Sequence, residues 1–246
     1  MIQKTILWTM ILVSLTVVSS AQTEEIDYKA TFGIFGTVGT IKNKVLKENK
    51  IYQIETTVRL AGLAKMIMGG QVEHYLSKGH MENGLMVSDY YRMEQTKKYQ
   101  KKLKEYTINH EKHYVTKRYR KWKKGKLLKD IQQRLKFYAK DDLLTLYFNM
   151  DTALNKKGEK YIFKAVGLEK QEGLVHITVP NAKEEAPYKK DLGVTADWYA
   201  KALIHQKNFR RKKGDILLSV DSDGFIKKAV IKDILMYGDA KLVRIK

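Results

Sequence analysis

From residue 26 onward, Ile26, Tyr28, Ala30, Phe32 and Ile34 alternate with Asp27, Lys29 and Thr31, the two-residue period of a half-buried strand. Glycines at 33, 36 and 39 predict a bend or bulge into a second strand over 37–46, and Glu48-Asn49-Lys50 turns the chain into a third over 51–60. The period then lengthens. Leu60, Leu63, Ala64 and Ile67 share one helical face, flanked by Met66 and Met68, which predicts a short helix ending at Gly69-Gly70. Alternation returns over 72–78 and 85–95, joined through Glu82-Asn83-Gly84, and strands are expected over 104–109, 114–123 and 127–138, the last two joined through Lys124-Gly125. Asp141-Asp142 opens a second helix, along which Leu143, Leu146, Tyr147, Met150 and Leu154 recur at helical spacing. The acidic pair suits a helix N-terminus, where a carboxylate caps orphan N–H groups and meets a favourable dipole. Further strands are expected over 160–166, 174–179, 198–206, 215–220 and 225–237, with Asp223-Gly224 as the last hairpin turn.

Ten or so antiparallel strands with two short helices cannot form a doubly wound sheet, because no helix separates successive strands. The expected fold is therefore mainly β: a curved antiparallel sheet or incomplete β-barrel whose concave face is covered by the two amphipathic helices.

The N-terminus adds an address. Lys4 precedes an apolar stretch over 6–18, and Ser19-Ser20-Ala21 follows with small residues where a signal peptidase needs them. Residues 1–21 are expected to be a cleaved signal peptide, and residues 22–246 a single β-rich domain in the periplasm of a Gram-negative-type envelope. The absence of cysteine removes disulfides, thiolate metal sites and a thiol nucleophile.

Net charge is +20, and the expected signal contributes only Lys4 to it. Such an excess favours an anionic lipid or envelope component as partner, with peripheral membrane contact, and nucleic acid is disfavoured in that compartment. The charge concentrates in residues 97–140, centred on Lys117-Arg118-Tyr119-Arg120-Lys121-Trp122-Lys123-Lys124. Lys117, Arg118, Arg120, Lys121 and Lys123 are the candidate anion-binding residues. On a strand, Arg118, Arg120 and Trp122 share one face and Lys117, Tyr119 and Lys121 the other, as on a protruding edge hairpin. Lysines there also discourage strand addition to an open edge.

Leu63, Met66, Ile67 and Met68 of the first helix, with Leu146 and Tyr147 of the second, are candidates for contact with an apolar ligand, since methionines adapt to irregular apolar shapes. The same pattern describes a helix plugging a sheet. His110 and His113 stand in His-Glu-Lys-His, one residue short of the spacing that places two imidazoles on one helix face, so no metal or other cofactor is expected. Asp221-Ser222-Asp223-Gly224 lacks the glycine and glutamate of a calcium loop, having Ile226 and Lys232 at those positions. Asp141 and Asp142 are adjacent and diverge by about a hundred degrees on a helix, which does not suit an acid–base pair. No catalytic constellation emerges, and the chain is not expected to be an enzyme.

Tyr28 with Gly33 and Gly39, the strand Ile51-Tyr52-Gln53-Ile54 followed by the helix over 60–68, Asp142-Leu-Leu-Thr145-x-Tyr147, and Leu218-x-Val220-Asp221-x-Asp223-Gly224 together resemble the periplasmic domain of unknown function 3108 family. The resemblance spans nearly the whole of 22–246. It implies a fold similar to the periplasmic lipoprotein carriers, an incomplete β-barrel with helices across its mouth, and no established activity. The family's prolines in the middle strands and near the last hairpin are replaced here by residues 86–90 and Lys227-Lys228.

Two functions follow as expectations. One is a non-enzymatic periplasmic carrier or binding module for an apolar or lipid-like ligand with an anionic headgroup. The other is an envelope structural or assembly factor that docks another protein or the cell wall through its basic edge hairpin.

Overall fold

The structure, a computed structural model, describes residues 21–67, 69–154, 158–168, 170–204, 214–232 and 239–246. The expected signal segment therefore lies outside the described residues, except for Ala21.

The first half of the chain is a meander of long antiparallel strands: β1 (Gln22–Phe32), β2 (Thr37–Glu48), β3 (Ile51–Leu60), β4 (Val72–Glu82), β5 (Leu85–Lys97), β6 (Gln100–Asn109), β7 (Tyr114–Lys123) and β8 (Lys126–Arg134). Short turns join them, and Asn49, Asn83 with Gly84, and Lys124 with Gly125 adopt the positive φ such turns require. A short α1 (Gly62–Ile67) interrupts the run after β3. The second half holds the two-residue β9 (Asp141–Asp142), α2 (Leu143–Ala153), β10 (Lys160–Val166), β11 (Leu174–Thr178), α3 (Glu185–Leu192), β12 (Trp198–Ile204), β13 (Gly214–Val220), β14 (Ile226–Ile231) and β15 (Ala240–Arg244).

Among the described residues, all fifteen strands join one open sheet in the order β8-β7-β6-β5-β4-β3-β2-β1-β15-β14-β13-β12-β11-β10-β9. Neighbours are antiparallel except β9 and β10. The fold is thus mainly β, as the alternation predicts, and the sheet is strongly curled. Ile26 and Tyr28 of β1, Ile54 of β3 and Met86 of β5 share one buried cluster with Val175 of β11, Trp198 of β12 and Val220 of β13. Those strands can meet only if the sheet wraps around a common interior. The wrap ends where the segment before β9 returns to β5: the Ser88 N–H donates to the Lys140 carbonyl at 2.9 Å. Strands β6, β7 and β8 continue beyond that seam as a wing.

The interior is occupied by α2. Its N-cap is Asp142, whose carboxylate accepts from the N–H groups of Leu144 (2.7 Å) and Thr145 (3.1 Å), while Thr145 Oγ1 accepts from the Asp142 N–H at 2.8 Å, a reciprocal capping box. The capping role expected of the acidic pair falls to Asp142. The same carboxylate accepts from Ser77 Oγ of β4 and, at 2.6 Å, from Ser88 Oγ of β5. One helix start thereby ties two strands to the core.

Further along α2, Asn149 accepts from the Met86 N–H at 2.9 Å and donates to its carbonyl at 2.8 Å, and Asp151 accepts from the Trp198 indole N–H at 2.9 Å. Tyr147 shares a hydrogen bond with Tyr28. The helix is held from β1, β4, β5 and β12 at once.

Two helical expectations are corrected. A third helix, α3, packs on β12, β13 and β14 and ends at Gly193 in the left-handed conformation. Its only buried side chain is Leu192, so it carries almost no apolar periodicity to read. And α1 does not cover the concave face: it packs on β2 with Leu63 48% and Met66 77% exposed. The sheet curls tightly enough for α2 alone to fill its interior.

Strand boundaries differ as well. β1 begins four residues earlier than expected, β5 and β6 extend toward each other until only Lys98 and Tyr99 separate them, and β8 ends at Arg134. β9 and β15 are additional. The predicted ends of the strands over 198–206 and 225–237 fall partly outside the described residues.

Candidate functional site

The wing's geometry is set by one bulge. Lys78 pairs with Tyr90 and Gly79 with Ser88, leaving Asp89 as an extra residue in β5. A bulge shifts the phase of alternation by one, so Ser88 and Tyr91, three residues apart, both face inward. Gly79 makes it fit: a Cβ there would lie 1.9 Å from the Val87 carbonyl oxygen and 2.9 Å from the Tyr52 ring. Beyond the bulge the odd-numbered residues of β5 continue the concave face.

Register then fixes which side chains line that face. Met93, Lys104, Tyr119 and Ile131 form one cross-strand row; Gln95, Lys102, Lys121 and Lys129 form the next; Lys97, Gln100, Lys123 and Lys126 form the last before the tip. Lys102 faces Lys121, Lys121 faces Lys129, and Lys123 faces Lys126 directly across strand pairs. No acidic residue occurs in these three rows from β5 to β8; on β4, Glu73 continues the middle row opposite Gln95, where it accepts from Gln71, Tyr75 and Gln95.

The strand acids Glu94, Glu105 and Asp130 lie on the other, convex face, each matched to a cation there. Arg118 grips Asp130 through two bonds of 2.8 and 2.6 Å, Arg120 pairs with Glu105, and Lys101 pairs with Glu94 at 2.8 Å. The Arg118 pair holds the Asp130 carboxyl below its usual range. The two faces therefore divide: one is compensated internally, the other is a lysine array.

At the tip, the turn at Lys98-Tyr99 meets the turn at Lys124-Gly125, and the Lys124 N–H donates to the Tyr99 carbonyl at 2.7 Å. On the convex side a hollow of about 740 Å³ opens between them, lined by Tyr99, Lys101, Leu103, Arg120, Trp122 and Lys124, among others. Lys98 lies 5.0 Å from the Tyr99 ring, and Arg120 and Lys101 lie 5.6 and 6.0 Å from the Trp122 ring.

The five expected anion-binding residues are thus split between faces. Lys121 and Lys123 belong to the lysine array. Lys117 lies on the same face but further in, at 8% exposure, and Arg118 and Arg120 are engaged by acids on the opposite face. Lys97, Lys102, Lys126 and Lys129 are the members that the reading around Lys117 to Lys123 omitted; the two-residue periods of four adjacent strands would have revealed them, once aligned by their turns.

The structure does not bring the described apolar-ligand candidates together at one site. Leu146 is packed in the core, Tyr147 is half-buried against Phe148 and bonded to Tyr28, and Leu63 and Met66 face outward on α1. The side chain of Ile67 and all of Met68 lie outside the described residues.

Two further polar clusters come from the fold. His80 Nδ1 and His110 Nε2 each lie 3.1 Å from the Asp89 carboxylate, and His110 Nδ1 contacts the Tyr138 hydroxyl at 2.9 Å. The bulge that exposes Asp89 creates this arrangement. The second is Asp141, pushed up to about 6 by burial, with Asp142 adding to the rise and Lys140 opposing it. Burial also raises Asp142, against the pull of the Ser77, Ser88, Thr145 and Leu144 donors.

No protein-family model matches the chain. No curated protein matches it either. Among solved structures it is similar to the crystal structure of a beta-barrel-like protein of domain of unknown function DUF1849 from Brucella abortus, at 9% identity and a TM-score of 0.43, covering 89% of this chain and 93% of that one. That degree of likeness carries no inference about this chain; the description of the fold as an open, barrel-like β-sheet stands on the strand order and shared core.

Proposed function

We propose that the protein is a non-enzymatic, exported binding module that engages an anionic component of the cell envelope through the lysine face of its wing. The observation that carries this reading is the segregation of charge: Glu94, Glu105 and Asp130 pair with cations on the convex face, leaving Lys97, Lys102, Lys121, Lys123, Lys126 and Lys129 on the concave one with no ion pair among the described residues. Like charges directly opposite in a sheet destabilise it by up to about 1 kcal/mol per pair. Three such pairs stand side by side here, and an anion seated among them would relieve the repulsion.

Edge protection accounts for Lys126 and Lys129, which lie on the edge strand β8. It does not account for Lys102 and Lys121, which lie on β6 and β7, each flanked by strands on both sides. Docking through the basic hairpin is favoured over carriage of an apolar ligand in the sheet, because α2 and its neighbours pack the interior. The export part of the reading rests on the N-terminal sequence.

Retention on immobilised polyphosphate tests it. Replacing Lys102, Lys121 and Lys129 by Gln removes the middle row of cations and is expected to weaken binding by about tenfold, at roughly 0.5 kcal/mol for each exposed charge pair lost. Unchanged retention of a folded triple variant would remove the basis for the proposal.

A further inference from the structure

The lysine face ends at a tip whose character is not purely ionic. Tyr99 is 59% exposed, Leu127 47% and Leu128 49%, and Trp122 sits half-buried beside them. Leu128 projects at the β7–β8 register shift, where Trp122 pairs with Leu127 and Lys121 with Lys129. Around these apolar groups stand Lys98 and Lys124 in the two turns and Lys123 and Lys126 at the strand ends.

A soluble polyanion would satisfy the lysines and leave Tyr99, Leu127 and Leu128 in water. A bilayer bearing anionic headgroups satisfies both sets. Tyrosine and tryptophan rings settle at the boundary between headgroups and acyl chains, leucines enter below it, and lysines reach back to the phosphates. Neither signal alone holds a protein firmly, whereas a few apolar side chains combined with a basic cluster do. The wing also extends past the seam at which the curled sheet meets β9, so its tip can reach a surface without the core following.

Resting on the anion-binding reading and naming its partner, we infer that the wing tip is a membrane-docking element: Tyr99, Trp122, Leu127 and Leu128 enter the interfacial layer of a bilayer while the lysines around them bind its anionic headgroups.

The test places Trp122 against lipid directly. The purified protein is mixed with phosphatidylcholine vesicles containing phosphatidylglycerol, with acyl chains brominated to quench indole fluorescence, and the signal is compared with that of Trp122→Phe, so that the difference reports residue 122 alone. Quenching of that component by the anionic vesicles, its absence with pure phosphatidylcholine, and its loss in Leu127→Ser/Leu128→Ser are the expected results. Lys123→Gln/Lys124→Gln/Lys126→Gln should weaken the quenching titration by about a hundredfold, since each lysine near an anionic surface contributes about fivefold. Binding of polyphosphate with no quenching of residue 122 by either vesicle would overturn membrane docking while leaving the anion-binding module standing. Failure to bind either would overturn both.

Discussion

At the scale of single residues, the most heavily used side chain is Asp142. It caps α2, and its second oxygen takes the hydroxyls of Ser77 and Ser88, so removing it orphans donors on three elements. Asp142→Ala is expected to cost about 3 kcal/mol or more, from a lost cap and lost bonds to a charged acceptor, measured by urea unfolding. Asp141 acts in the opposite sense. Its folded pKa of about 6 lies above its ordinary value near 3.8, so the folded state holds a proton that the unfolded state releases between those pH values. Stability from this group is therefore fully present below about pH 4 and declines as pH rises to about 6. Asp141→Asn should flatten that slope and raise stability at pH 7 by up to about 3 kcal/mol, read from melts across pH. A steeper decline in the variant would refute the assignment. The capping motif was visible in the sequence because Asp-x-x-Thr is local; the serines that share Asp142 are not, because they come from strands more than fifty residues away.

At the scale of elements, α1 and α2 look alike as apolar periodicities but carry different loads. Met150 of α2 is 4% exposed within the core and Met66 of α1 is 77% exposed. Met150→Ala should cost about 2–5 kcal/mol, and Met66→Ser should stay within about 0.5 kcal/mol, both by thermal or chemical unfolding. Periodicity alone could not separate them, since an apolar stripe says that a helix has a face and not what covers it. The wing sharpens the point. Its strands and the Lys124-Gly125 turn were legible, as was the Glu82-Asn83-Gly84 turn before it, but the Lys98-Tyr99 turn carries no turn-favouring residue and the Asp89 bulge leaves no mark in the alternation. Both are needed to see that Lys102, Lys121 and Lys129 stand in one row. Lys121 lies between the other two, so Lys121→Glu converts two repulsions into two attractions. The fold should gain about 1 kcal/mol in urea while losing affinity for polyphosphate, a stability gained at the expense of the proposed binding.

At the scale of the molecule, a sheet of fifteen described strands wraps around one helix and then runs past its own seam. The alternating pattern made the mainly β class and the curl predictable, because so many half-buried strands need a shared interior. It placed α2 on the concave face but did not reveal that α2 fills the interior without α1, nor that the sheet's own N-terminal half supplies the wing. The same duality governs charge: a net +20 describes the chain as basic without saying where the excess is uncompensated. The distribution over two faces decides that, and long-range attraction makes it sensitive to salt, because exposed charges are screened beyond about 8 Å at physiological ionic strength.

Placement, rather than total charge, is what we propose makes the wing a binding surface. It is tested most directly by two variants of equal net charge: Lys102, Lys121 and Lys129 changed to Gln in one, and the exposed Lys50, Lys160 and Lys164, which lie outside the wing, changed to Gln in the other. Polyphosphate affinity is measured for both at one physiological salt concentration. The account predicts a loss of about tenfold in the first and near-native affinity in the second; equal losses in the two would contradict it.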